Sequence, residues 1–162
     1  MSAPDAVVDQ QFGYSVSISA DNVVIGAPGD QELTGAVYAF KTNVTSYGQY
    51  DYVSKIVPNT VVSGHQFGFS VGLYEGSDYA NNGDTIPATL VVGAPGNETT
   101  ALAGAAFIYH TDDSLFPDWK LFTVLGPAAG DANFGKSVAI YASIIVSFFI
   151  CVFFLLVLKN NI

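Results

Sequence analysis

The sequence holds no arginine, one cysteine, one tryptophan and two histidines, and only 12% of its residues are charged. Five lysines stand against fourteen acids, for a net charge of -9. That balance excludes a nucleic-acid partner, because phosphate binding needs clustered basic side chains. A lone cysteine excludes an internal disulfide framework and a cysteine-based zinc site. His65 and His110 lack metal-ligand spacing, and no nucleophile elbow, phosphate loop or zinc motif is present. No catalytic residue and no resident metal is therefore expected. His110-Thr-Asp112-Asp113 reads as an acidic turn after a strand, and Trp119, alternating with Leu121 and Thr123, as strand packing. Met1 to Asp9 has neither the basic start nor the apolar core of a secretory signal. Two expectations follow, a tail-anchored protein or a piece of a longer chain.

What the sequence has in quantity is apolar surface. Half of it is hydrophobic and 14% is aromatic, which argues against disorder. Its 162 residues give room for one domain. Val138 to Leu158 is a run of 21 residues without a charge, bracketed by Lys136 and Lys159. As a helix it would span roughly 30 Å, the hydrocarbon thickness of a bilayer. The run predicts a transmembrane helix over 142–158, with Tyr141 at the interface and 159–162 as a short tail. Ala139, Ser143, Ser147 and Cys151 recur every four residues and would form a small-residue stripe on that helix.

The rest of the chain repeats. Gln11-Phe12-Gly13-Tyr-Ser-Val returns as Gln66-Phe67-Gly68-Phe-Ser-Val and again as Asn133-Phe134-Gly135-Lys-Ser-Val. The first two copies continue to Gly26-Ala27-Pro28-Gly29 and Gly93-Ala94-Pro95-Gly96, then to Gly35-Ala-Val-Tyr38 and Gly104-Ala-Ala-Phe107. Each copy reads as β. Tyr14 to Ser19 alternates apolar and serine, Val23 to Ala27 is a short apolar strand, and Ala36 to Lys41 and Tyr52 to Val57 complete four. The second copy predicts strands over Phe69–Tyr74, Thr89–Ala94, Ala105–His110 and Trp119–Leu125. Four short strands with Gly/Pro turns describe a propeller blade.

These units resemble FG-GAP repeats, the blade unit of integrin α-subunit propellers. The resemblance runs from Asp9 to about Val146. It implies an all-β partial β-propeller: a blade over 1–63, a second over 64–130, the start of a third over 131–141, then the transmembrane helix. It also implies structural roles. Phe12, Phe67 and Phe134 would fill the gap between blades, Gly13, Gly68 and Gly135 would permit close backbone approach, and Gly26-Ala27-Pro28 and Gly93-Ala94-Pro95 would supply small residues and a turn.

Many members of that family carry a calcium loop. Here Ala20-Asp21-Asn22 is a bare turn, and Glu75 to Asp84 has the wrong spacing, leaving Asp78, Asn81 and Asp84 as the nearest approach to a calcium site. No cofactor is expected. Asn43-Val-Thr45 and Asn97-Glu-Thr99 have the form of glycosylation acceptors. A propeller ring takes about four to eight blades, so further blades or other copies are needed, and a fragment of a larger propeller is the expectation. The resemblance implies binding rather than chemistry. It points to a single-pass membrane or cell-surface protein that binds a protein ligand or mediates adhesion, with its soluble part extracellular or lumenal. The alternatives are the propeller portion of a hydrolase-type enzyme and a tail-anchored intracellular scaffold.

Overall fold

The serine–apolar alternation of the first copy becomes an edge strand, β1 (Ser15–Ser19), and the apolar run after Asp21 becomes β2 (Asn22–Ala27), buried along its whole length. The computed structural model describes residues 1–46, 48–76, 88–96, 102–111, 118–127, 131–141, 144–149 and 152–157. β3 (Ala36–Thr42) and β4 (Tyr50–Ile56) complete an antiparallel sheet in the order β1-β2-β3-β4. The second copy builds the same sheet from β5 (Ser70–Tyr74), β6 (Ala88–Ala94), β7 (Ala105–Thr111) and β8 (Lys120–Leu125). Even the irregularity recurs: the register shifts at Ala39/Phe40 in the first sheet and at Ile108/Tyr109 in the second. Asp30–Leu33, between β2 and β3, is a single turn whose Gln31, Glu32 and Leu33 have left-handed backbone.

The expected transmembrane helix is not what the apolar run forms. β9 (Ser137–Tyr141), β10 (Ile144–Phe149) and β11 (Val152–Val157) make a third antiparallel sheet, in the order β11-β10-β9. Among the described residues no helix is long and apolar enough to cross a membrane. A continuous apolar run rich in Ile, Val and Phe suits a doubly covered strand as well as a helix, and periodicity does not separate them. The pairing partner decides. β9 is the third copy of β1, and β10 pairs with it as β2 pairs with β1, Ile144 opposite Tyr141 as Asn22 is opposite Ser19.

The three sheets stack through their first strands. Ser15 Oγ donates to the Gly68 carbonyl at 2.7 Å, and Ser70 Oγ, its counterpart, donates to the Gly135 carbonyl at 2.9 Å. Ser17 and Ser19 Oγ accept from the Leu73 and Glu75 amides at 3.0 and 3.1 Å. The residue paired with the ladder serine is Gly26 in the first sheet and Gly93 in the second. A β-carbon on Gly26 would collide with the Gly68 carbonyl oxygen, and one on Gly93 with that of Gly135. In the third sheet the residue opposite Ser137 is Phe148. The close approach that seats one sheet on the next is made at glycine in the first two sheets.

Phe67 is fully buried between the first two sheets, in a core with Val24, Val37, Leu90, Val92, Phe107 and Tyr109. Phe134 occupies the equivalent place with Val91, Ala106, Ile108 and Val138. Phe12 lies edge-on to Tyr38 and Phe40, ring centroids 5.3 and 6.2 Å away, on the outer face of the first sheet. Among the described residues no other sheet packs on that face. The N-terminal segment covers it instead, with Ala3 only 6% exposed over Val23, Ile25, Tyr38 and Phe40. The first strand is left uncovered, so Val16 and Ile18 are exposed, whereas Leu73, the counterpart of Ile18, is buried.

Candidate binding groove

Two constellations of polar side chains arise where the repeat leaves room. The first pins the N-terminal segment. Lys55, on β4, holds Asp5 at 2.6 Å and Asp30 at 2.8 Å. Gln10 Nε2 donates to Asp30 Oδ1 at 2.8 Å and contacts the Tyr38 hydroxyl, which itself donates to Asp5 Oδ1 at 2.7 Å. The Lys55 ammonium also sits 5.2 Å from the Tyr38 ring centroid. The hydrogen bonds from Lys55 and then Tyr38 hold the Asp5 carboxyl below its ordinary value. Burial and the bond to Asp5 push the Tyr38 phenol up. Burial works against the Lys55 charge, but its bonds to Asp30, Asp5 and Tyr38 outweigh it and raise Lys55 above 10.5. Every charge in this cluster is answered from within, so it is a clasp rather than a place for a ligand.

The second constellation is different. Between the outer strands of the first two sheets, β4 and β8, lies a groove of about 500 Å³, within the size range of ligand sites. The end of β4 and the segment after it, Ser54 to Thr60, form one wall, and Asp118, Trp119 and Leu121 the other, with Tyr109 of β7 between them. Ser54 Oγ, Tyr109 OH and Trp119 Nε1 are buried, and none has a hydrogen-bond partner among the described residues. Burial also pushes the Tyr109 phenol up, so it stays a neutral donor. Buried polar groups are almost always paired, and an unpaired one costs about 1–3 kcal/mol. Three around a single groove mark a surface that lacks its complement.

The Phe-Gly and Gly-Ala-Pro residues build the stack and take no part in the groove. Asn43 heads the β3–β4 connection, where its amide donates to Asp51 Oδ2 at 2.9 Å and its carbonyl accepts from the Thr45 hydroxyl at 2.6 Å. Asn97, Asp78, Asn81, Asp84, Asp112 and Asp113 lie outside the described residues. His110 stacks on Phe122 at 4.4 Å. Among the described residues no group of three His, Cys, Asp or Glu could hold a metal ion. Trp119 packs against the shared core, as its alternation implies, but its indole N–H has no partner among the described residues. Sequence reading missed the groove because Ser54 and Tyr109 lie on strands of two different sheets and Trp119 just ahead of β8.

A family model described as FG-GAP repeat matches residues 1–40, the stretch from the N-terminal segment through most of β3. That match supports an FG-GAP repeat assignment for residues 1–40. No curated protein matches it.

Proposed function

We propose that the chain is a non-enzymatic binding module, its sheets arranged as sectors of a propeller, and that the groove between β4 and β8 receives a protein ligand. The FG-GAP repeat supports a binding domain of propeller type. The observation that carries the site is the set of three unpaired polar groups around one cavity. A group kept at a cost to stability is explained by what it does in a complex. Tyr109→Phe is therefore expected to stabilise the free protein, by about 1 kcal/mol, because it removes an unsatisfied hydroxyl while keeping the ring. Denaturant unfolding measures this directly, and a loss of stability would show that the hydroxyl has a structural partner and would remove the site.

The same reading places the module outside the cell or in a lumen. Its support is the Asn43-Val-Thr45 acceptor beside Val44, which is almost wholly exposed. Protein recovered from a secretory-pathway host should gain mobility on N-glycosidase treatment, and the gain should vanish in a variant with Asn43 and Asn97 both replaced by Gln. Unchanged mobility in the parent chain would count against this placement.

A further inference from the structure

The groove lies beside two unpaired sheet edges. β4 is the last strand of the first sheet and β8 the last of the second, so each has one side of its backbone ladder without a neighbouring strand. Such edges accept an extended segment through main-chain hydrogen bonds. One wall is a continuous stretch of backbone, Ser54 to Thr60, in which Pro58 ends the strand and contributes apolar surface.

The three unpaired groups set the chemistry. Trp119 Nε1 is a donor only, and the hydroxyls of Ser54 and Tyr109 can donate as well. All are neutral. The complement is therefore a ligand with several uncharged acceptor oxygens in a row. Pro58 and Leu121 add apolar wall. The Lys55 ammonium is engaged by Asp5 and Asp30 and is not free to fix an anion. Asp118 is the one carboxylate among the described lining residues, which favours a basic residue at one end of the ligand. A carbohydrate offers acceptor oxygens too, but it stacks on a bare aromatic face, and the Trp119 ring is packed against the core.

We infer that the groove takes an extended peptide segment of the protein ligand, its backbone carbonyls accepting from Ser54, Tyr109 and Trp119 and its apolar side chains lying against Pro58 and Leu121. This rests on the binding-module reading above. The segment lies along the β4 or β8 edge as an added strand, with a basic residue near Asp118.

The test uses the full chain and two probes, short random linear peptides displayed on phage and a set of chito- and manno-oligosaccharides. Trp119 is the only tryptophan, so its emission reports occupancy of the groove. Selected peptides, made synthetically, should shift that emission and lose about fivefold in affinity for Ser54→Ala and again for Tyr109→Phe. Emission that responds to an oligosaccharide and to no peptide overturns the peptide assignment. Selected peptides that bind both variants as tightly as the parent chain overturn it also, while leaving the binding-module reading intact. Silence from both probes, with Tyr109→Phe less stable than the parent, removes the inference and that reading together.

Discussion

Phe67→Ala is expected to destabilise the protein by about 3–5 kcal/mol, the usual range for emptying a fully buried phenylalanine site. Phe67 is inaccessible to solvent and sits 5.2 Å from the Phe107 ring and 6.3 Å from that of Tyr109, both edge-on. Its backbone is locked as well: the Phe67 amide donates to the Thr34 carbonyl at 2.9 Å, and a β-carbon on Gly35 would collide with the Phe67 backbone. Neither side can close over the hole. Against a total stability of about 5–15 kcal/mol for an ordinary domain, such a loss leaves a chain near its unfolding midpoint. Phe12→Ala provides the control. Phe12 has the same place in the repeat but is only half-buried and packs on the first sheet alone rather than between two sheets, so its loss should be clearly smaller. Equal losses in denaturant unfolding would show that the phenylalanine does not act as a plug between sheets.

Lys55→Met should cost a similar amount, about 3–5 kcal/mol, for an electrostatic reason. Asp30 is 3% exposed at its side chain, and Lys55 is the cation that answers it. Removing one partner of a buried pair strands the other charge, whereas removing both is often close to neutral. The double variant Lys55→Met/Asp30→Leu is therefore expected to recover most of the loss, a coupling that a double-mutant cycle reads directly. A double variant no better than the single one would mean that the Lys55 stem, not its charge, supplies the stability. The acid limb of the stability profile should change too. The Asp5 carboxyl is held below 3.8 by Lys55 and Tyr38, so its contribution is full above that value and fades as pH falls through the lower folded value. In Lys55→Met that part of the acid dependence should weaken. Lys55, raised in the fold, contributes below 10.5 and loses its effect only as pH climbs past its folded value.

The clasp bears on how the outer face of the first sheet is covered. Repeat stacks need a cover at each terminus, since every internal unit buries one face against a neighbour. On one side the cover is the N-terminal segment, tied down by Asp5 and Gln10. Val16 and Ile18 stay exposed on the first strand beside that cover.

The strands of the first two sheets were legible in the sequence to within a residue or two. Serine alternation at Ser15 to Ser19 and the uninterrupted apolar run at Val23 to Ala27 are local patterns with local causes, strand pleat and burial on both faces. The structural roles of Phe67, Gly68, Gly93 and Pro28 were legible for a related reason, because a motif seen more than once exposes a constraint that one occurrence hides. Val138 to Leu158 was misread. Its composition satisfies a membrane helix and a covered strand alike, and the choice belonged to the partner strand β9.

By itself, then, the sequence determined the period, the turns and the order of the repeated units, because these depend on residues within one strand or one hairpin. Only the tertiary structure decided which distant groups meet. Asp5 reaches Lys55 across 50 residues, and Ser54 shares a groove with Tyr109 and Trp119. No local pattern marks such pairs, since they are fixed by how one sheet seats on another.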